Sequence, residues 1–81
     1  NIDSSIKDLT FVITGKLNNF ENRKQLQKVI EQNGAKVMNS VTSKTSYLIN
    51  NDINSKSSKN QTAIDLKIPI ITEEEFLKLL N

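Results

Sequence analysis

Apolar residues along this chain of 81 residues fall in short runs that polar segments separate. Four of the runs are rich in β-branched and aromatic residues and are too short for an isolated helix, which favours strands covered on both faces. We predict strands at residues 9–13, 36–38, 47–49 and 68–71. Pro69 is tolerated because it lies at the entrance of the last strand.

Three helices are predicted from apolar residues at helical spacing and from residues that can cap a helix end. The first begins at Asn22, with Gln25 in the position of a capping box, and stops at Gly34, which can adopt the left-handed conformation. The second begins at Ser58, with Gln61 in the capping-box position. The candidate buried residues of these two helices are Leu26, Val29, Ile30, Ala63, Ile64 and Leu66.

The third predicted helix begins at Thr72, which is expected to form a capping box with Glu75. We expect its Phe76 to be buried, because a large aromatic residue on the inner face removes the most apolar area from water. The glutamates at positions 73–75 point in different directions from consecutive helical positions. We therefore interpret them as capping residues that favour the helix dipole, and not as paired catalytic carboxylates.

The predicted order of elements is β-α-β-β-α-β-α, which indicates an α/β fold. The crossover lengths demand at least some parallel pairing, and we expect a small four-stranded parallel sheet with helices on both faces. A chain of this length forms one domain at most. We assign residues 1–7 to a leading segment or linker and residues 8–81 to the domain.

The composition excludes several classes of chemistry. The chain has no Cys and no His, so it lacks thiol nucleophiles, disulfides, imidazole bases and the usual zinc ligands. We predict no catalytic residue, no metal site and no small-molecule substrate. The sequence also has no apolar stretch of about 18 residues and no charged leader, which argues against a membrane partner and favours a cytoplasmic location.

The net charge of +2 is unevenly distributed. Between residues 36 and 67, five lysines against two aspartates give +3, whereas the last fourteen residues carry −2. A basic region of this size favours weak rather than tight nucleic-acid binding. The alternative is a solvated surface with a slight excess of lysine.

The first predicted strand ends at Thr14 and Gly15, a turn whose backbone N–H groups can point at an anion. The turn follows the carboxyl end of a parallel strand, where open α/β sheets usually bind ligands, and glycine allows close approach to the backbone. It is therefore the candidate phosphate site. The alternative is that Thr14 only caps the turn and Gly15 only permits it.

Several blocks of sequence resemble one known family in the same order and at similar spacing. They are residues 11–15, Arg23, residues 33–37, residues 40–49 and the pair Ser58-Lys59. Together they resemble the BRCT domain, most closely the version at the carboxyl terminus of bacterial NAD-dependent DNA ligases. The likeness covers nearly the whole chain.

Members of that family bind phosphate on a phosphopeptide or at a DNA 5′ end, and the resemblance implies matching residues here. Thr14 would donate its hydroxyl, Gly15 its backbone N–H, and Lys59 would supply charge at the amino end of the second helix. Arg23 would add a bidentate contact to a neighbouring phosphate. Secondary contacts would come from Lys16, Lys56 and Thr62. The alternative for Lys59 and Arg23 is a solvated surface position.

The chain departs from the family pattern at four positions. Most BRCT domains carry Trp where this chain has Phe76, a substitution that fits the ligase branch. Ser57, Thr62 and Lys67 stand where glycine, lysine and glycine are usual. The resemblance therefore implies a weakened basic pocket and a less well capped carboxyl end of the second helix.

The function implied by the resemblance is a noncatalytic DNA- and phosphate-binding module of an NAD-dependent DNA ligase, which assists engagement of nicked DNA in replication and repair. Its expected partners are nicked or 5′-phosphorylated DNA, bound weakly, and the other domains of the parent ligase. NAD and a divalent metal are expected only in that parent, with no cofactor in this chain. The alternatives are a phosphopeptide or protein–protein interaction module of another repair or replication protein, and an inert spacer.

Overall fold

The computed structural model describes residues 6–52, 54 and 56–80. Its strands are β1 (Thr10–Ile13), β2 (Lys36–Met38), β3 (Tyr47–Ile49) and β4 (Ile70–Ile71). Its helices are α1 (Arg23–Gln32), α2 (Ser58–Asp65) and α3 (Glu73–Leu79). The order of elements is the predicted one. β4 is shorter than predicted, because Pro69 has no N–H for the ladder and contributes only its carbonyl, which accepts from Leu48 N–H at 2.9 Å.

The four strands form one parallel sheet in the order β2-β1-β3-β4. Phe11 of the central strand β1 pairs with Val37 on one side and with Tyr47 on the other. Leu48 pairs with Ile70, which adds β4 at the far edge. The predicted four-stranded parallel sheet is therefore confirmed.

Helices cover both faces of the sheet, because successive strand residues point to opposite sides. The larger buried cluster combines side chains of β1, β3 and β4 with those of α1 and α3. Its members include Phe11, Ile13, Ile49, Ile71, Leu26, Ile30 and Phe76. On the other face, Val12 and Leu48 pack with Ala63 of α2. Each layer is thus held by apolar contacts to the same short strands.

Three of the four aromatic residues of the chain form one contact group with the larger cluster. Phe76 is fully buried, as predicted, and meets the Phe11 ring edge-on at a centroid distance of 5.4 Å. Tyr47 stacks on the Phe11 ring at 5.6 Å. The Tyr47 ring is therefore engaged in packing within the sheet layer.

Both ends of α1 follow from its sequence. Asn22 caps the amino end, where its side chain accepts from Gln25 N–H at 3.0 Å. The Gln25 side chain reaches back to Glu21 N–H instead of the cap residue itself, so the reciprocal half of the expected box is displaced by one position. At the other end, Gly34 has a φ of 83° and its N–H bonds to Glu31, which closes the helix as predicted.

The predicted start of α2 at Ser58 is confirmed, but two other details of the prediction were wrong. Ser57, and not Ser58, is the cap, since its side chain accepts from Asn60 N–H at 3.3 Å while Ser58 already belongs to the helix. Ile64 and Leu66 are exposed by 52% and 41%, contrary to expectation. A helix of only eight residues turns few positions inward, and here they are Asn60 and Ala63.

The carboxyl end of α2 is better closed than the sequence implied. Lys67 adopts the left-handed conformation, with a φ of 60°, where the family usually has glycine. Lys67 N–H bonds to the Ile64 carbonyl at 3.1 Å and Ile68 N–H to the Ala63 carbonyl at 2.7 Å. These two bonds form a Schellman motif, and Ile68 packs against the buried cluster to which Ala63 belongs.

The amino-terminal boundary of the domain stays a prediction. Residues 1–5 of the expected leading segment lie outside the described residues. Ile6, which we assigned to that segment, is buried in the larger cluster. Over the described part of the chain, every helix is too short or too polar to cross a membrane.

Candidate functional site

The turn after β1 requires glycine at position 15. Thr14 N–H donates to the Ile49 carbonyl at 3.0 Å, which extends the pairing of β1 with β3 up to the turn. Gly15 then adopts a φ of 80°. A Cβ atom at this position would lie 2.9 Å from Asn50 Oδ1, so a side chain is excluded by both conformation and space.

Asn50 joins this turn to the amino end of α2. The residue directly follows β3 and is only 2% exposed. Its Nδ2 donates to Oδ1 of Asn60, the third residue of α2, at 3.0 Å. Its Oδ1 accepts from Asp52 N–H at 2.9 Å. The Gly15 turn and the first turn of α2 therefore lie on two sides of one buried side chain.

An open cleft of about 350 Å³ lies beside the turn. Its lining residues come from the segments that follow β1 and β3, at the carboxyl edge of the sheet. They are Gly15, Lys16, Asn18, Asn50, Asn51 and Asp52. Three asparagines, one lysine and one aspartate make a surface that is rich in hydrogen-bonding groups and has little net charge.

Two of the predicted site residues, Gly15 and Lys16, line this cleft. Thr14 is half-buried immediately before the turn, and Lys59 is half-buried beside Asn60 in α2. Both lie at the same edge of the sheet as the cleft, outside its lining. That placement keeps them in the candidate site as neighbours of the cleft.

The remaining predicted residues are less closely placed. Arg23 is exposed as the first residue of α1, and Lys56 is exposed just before the α2 cap. The Thr62 hydroxyl donates to the Ser58 carbonyl at 2.8 Å, so its hydrogen is used inside α2. None of these three residues belongs to the lining of the cleft, and their roles as ligand contacts stay predictions.

The sequence reasoning missed Glu73, which does more than favour the dipole of α3. Its carboxylate is fully buried and accepts from the N–H groups of Asn18 and Asn19, the latter at 2.9 Å. It also accepts from Asn51 Nδ2, while Glu73 N–H donates to Asn51 Oδ1 at 2.9 Å. Glu75 alone forms the expected capping box with Thr72. The interpretation of all three glutamates as capping residues is therefore corrected for Glu73.

The surroundings of Glu73 favour its charged form. Burial alone would raise the pKa of the carboxyl, but hydrogen bonds from Asn18 N–H, the Asn51 side chain and the N–H groups of Asn19 and Phe20 outweigh it. The pKa therefore lies below its ordinary value. The only signal in the sequence was the two Asn-Asn pairs, which are typical of hydrogen-bonded loops but do not single out their acidic partner.

The fold is that of a small α/β domain with a polar cleft beyond the carboxyl ends of its parallel strands, the place where open α/β sheets usually bind ligands. Among the residues that the structure describes, no group of three or more Asp or Glu side chains could hold a metal ion. The chemistry on offer is hydrogen bonding and charge.

Comparison with known families identifies this class further. The profile of the BRCA1 C Terminus (BRCT) domain matches residues 4–80. The chain therefore belongs to the BRCT domain family, which confirms the resemblance and the fold expected from the sequence.

The similar curated proteins are named DNA ligase. The protein of Lachnoclostridium phytofermentans is 62% identical over 76 residues, which cover 94% of this chain and 12% of the relative. The protein of Ruminiclostridium cellulolyticum is 57% identical over 93% of this chain and 11% of the relative. That of Thermosipho africanus is 46% identical over 95% of this chain and 11% of the relative. The chain thus spans about a ninth of the length of the relatives it matches.

Proposed function

We propose that this domain is the BRCT module of a bacterial NAD-dependent DNA ligase, and that it binds a phosphate group of nicked DNA without catalysing ligation itself. One observation carries the proposal. The Gly15 turn and the amino end of α2 meet at the buried Asn50 side chain, beside an open cleft at the carboxyl edge of the sheet. The names of the relatives support DNA as the source of the phosphate.

Each residue of the site would have a separate task. Gly15 would let a phosphate oxygen approach the backbone, and Lys59 would add charge beside the dipole of α2. Thr14 would donate its hydroxyl. The Thr14 hydroxyl and the Lys59 ammonium group make no hydrogen bond or ion pair with other residues in the described part of the chain, so both are available to a ligand. Arg23 would add a bidentate contact to a neighbouring phosphate, and secondary contacts would come from Lys16, Lys56 and Thr62.

The remaining chemistry would belong to the parent protein. NAD and a divalent metal would act in its other domains, which would also be the protein partners of this module. The assembled ligase would work on chromosomal DNA in replication and repair, and hence in the cytoplasm. Weak binding by the module fits a cleft whose lining combines one lysine, Lys16, with one aspartate, Asp52, and otherwise offers mostly amide groups.

Fluorescence anisotropy tests the phosphate site directly. A labelled nicked duplex, with either a 5′-phosphate or a 5′-hydroxyl at the nick, is titrated with the chain over a series of salt concentrations. We expect tighter binding to the phosphorylated duplex. The double variant Thr14→Ala with Lys59→Ala should lose that preference. The plot of the logarithm of its binding constant against the logarithm of the salt concentration should become shallower, with a slope smaller in magnitude by about one.

Lys44→Ala is the matched control. Lys44 is exposed in the turn before β3, where Ser46 N–H bonds to the Thr10 carbonyl at 2.7 Å, so it lies at the opposite edge of the sheet from Gly15. This variant loses a lysine charge and should keep the preference for phosphate. Equal binding of the two duplexes by the wild-type chain would overturn the proposal. Competition by a phosphoserine peptide at lower concentration than the duplex would favour the phosphopeptide alternative.

A further inference from the structure

We infer that the buried Glu73 carboxylate is a positioning residue for the Gly15 turn, acting as an internal anion that fixes the loop between β1 and α1. This role rests on the proposed function, because positioning the Gly15 turn affects binding only if the turn contacts the phosphate. Glu73 lies on α3, outside the predicted phosphate contacts. It therefore acts on the turn only through other residues.

The loop depends on Glu73 for its backbone hydrogen bonds. In the described part of the chain, the N–H groups of Asn18 and Asn19 donate to the Glu73 carboxylate and to no backbone carbonyl. The neighbouring Phe20 N–H also helps to hold the pKa of this carboxyl below its ordinary value. Successive N–H groups that converge in this way form a concave anion site, and here the anion is part of the chain.

Two hydrogen bonds connect Glu73 to the turn. Asn51 Nδ2 donates to the Glu73 carboxylate and also to the carbonyl of Lys16, the latter at 3.0 Å. Lys16 directly follows Gly15. Glu73 N–H donates to Asn51 Oδ1 in return, which fixes the orientation of the Asn51 amide. A displacement of Glu73 is thus transmitted through one side chain to the residue next to the turn.

A carboxylate is the group that this arrangement requires. Both of its oxygens accept, and the donors arrive at both: Asn18 and Asn51 at Oε1, and Asn19 at Oε2. A glutamine of the same size would present one acceptor and one NH₂ group. The NH₂ group would face an N–H or an amide donor, so at least one buried donor would lose its partner.

Glu73→Gln is the test, and Glu74→Gln is its matched control. Glu74 is the next residue of α3, is exposed, and loses the same charge in its variant. Amide ¹H–¹⁵N spectra of the 81-residue chain should show shifted Gly15 and Lys16 signals in Glu73→Gln. Hydrogen exchange of the Asn18 and Asn19 amides should be faster by about tenfold or more, as expected for opened hydrogen bonds. Glu74→Gln should leave these signals in place.

The binding assay supplies the second measurement. The ratio of affinities for the nicked duplexes with 5′-phosphate and 5′-hydroxyl should fall by about threefold to tenfold in Glu73→Gln, which is a loss of about one hydrogen bond. Glu74→Gln should keep the ratio. If Glu73 served only in packing, Glu73→Gln would lower the stability of the domain, but its folded fraction would keep the wild-type ratio of affinities for the two duplexes. That result would overturn the inference.

The two proposals fail separately. If the wild-type chain binds both duplexes equally, the proposed function fails. The Gly15 amide signal in Glu73→Gln still decides whether Glu73 positions the turn. If Gly15 is unmoved in Glu73→Gln while Asn18 and Asn19 shift, the inference is overturned. Should Glu73→Gln not fold, Asn51→Ala replaces it, since this variant cuts the connection to Lys16 and keeps the carboxylate and the loop N–H groups. An unmoved Gly15 signal in Asn51→Ala would equally overturn the inference.

Discussion

At the scale of single residues, Asp52 sets a limit on anion binding. Its exposed side chain lines the same cleft as Gly15 and Lys16, where it repels a phosphate. Its Oδ1 accepts from Asn54 N–H at 3.2 Å, a bond that an asparagine side chain can keep. We therefore predict that Asp52→Asn tightens binding to the 5′-phosphorylated nicked duplex by about threefold to tenfold at low salt, an effect typical of an exposed charge pair.

The control for Asp52→Asn is Asp65→Asn. Asp65 is the last residue of α2, at the end of the helix opposite to Asn60, and it is exposed. Its replacement by asparagine removes the same charge. Anisotropy at several salt concentrations measures both variants. Equal gains from the two would show that the net charge of the domain, and not the cleft, governs affinity.

Glu73 predicts how stability depends on pH. The pKa of its carboxyl is lowered in the folded state, so the unfolded chain takes up the proton at higher pH. The contribution of the charged Glu73 carboxylate to the stability of the fold is therefore fully present above the pKa of a glutamate in the unfolded chain, about 4.3. It is lost as the pH falls through the lower pKa that Glu73 has in the folded state. We expect Glu73→Gln to lower Tm at pH 7, and the gap to the wild-type chain to narrow below about pH 4.

Circular dichroism melts between pH 7 and pH 3 measure this gap. Glu74→Gln, in which an exposed carboxylate is replaced, should follow the wild-type curve closely. A gap between Glu73→Gln and the wild-type chain that stays constant over the whole range would show that the shape of the side chain, and not its charge, is what the loop requires.

At the scale of secondary-structure elements, α2 ends on a residue that is poorly suited to its conformation. Lys67 has a φ of 60°, which costs a non-glycine residue about 1 kcal/mol. Glycine removes this strain but gains entropy in the unfolded state, which offsets part of the effect. We predict that Lys67→Gly raises the free energy of unfolding by about 0.5 to 1 kcal/mol.

Urea denaturation measures the change, and Lys67→Ala is the matched control. The alanine variant removes the same charge and most of the same side chain but keeps the Cβ atom that conflicts with the left-handed conformation. It should not be more stable than the wild-type chain. An equal gain in both variants would assign the effect to the lysine charge and leave the backbone of α2 without strain.

Most of the elements could be predicted because their signals are local. β2 and β3 have the predicted bounds, since each is a short apolar run between polar residues. The cap of α2 was misplaced by one residue because Ser57 and Ser58 are adjacent and both can cap a helix. Ile64 and Leu66 were predicted as buried from their apolar character alone, whereas the orientation of so short a helix is set by tertiary contacts.

The candidate site could be predicted only in part. Gly15 carries a local signal, a turn directly after a buried strand, and it does line the cleft. The bond between Asn18 and Glu73 joins residues 55 positions apart, and that between Asn51 and Glu73 residues 22 apart. No local pattern selects such partners. They become visible only when the sheet places the ends of β1 and β3 beside the start of α3.

At the scale of the whole molecule, Phe76 connects the helix that carries Glu73 to the centre of the sheet. Its ring is fully buried and meets Phe11 of β1 edge-on. Removing a buried phenylalanine typically costs about 3 to 5 kcal/mol. A domain of this size has a total stability of only about 4 to 12 kcal/mol. We predict that Phe76→Ala is largely unfolded at 37 °C and that any folded fraction loses its preference for the 5′-phosphorylated duplex, because α3 no longer holds Glu73 against the loop.

Near-ultraviolet circular dichroism and urea denaturation report the packing of Phe76, and Ile64→Ala is the control. Ile64 is also a large apolar residue, but it is 52% exposed, so its truncation should change the free energy of unfolding by about 0.5 kcal/mol at most. Phe76→Leu adds a finer test, since it keeps much of the apolar volume and should fold. If Phe76→Leu is folded, keeps the Glu73–Asn18 and Glu73–Asn19 bonds and binds both duplexes as the wild-type chain does, α3 needs only its apolar contacts to hold the loop. If the folded Phe76→Leu variant instead loses its preference for the 5′-phosphorylated duplex, the position of α3 on the sheet sets the geometry of the Gly15 turn.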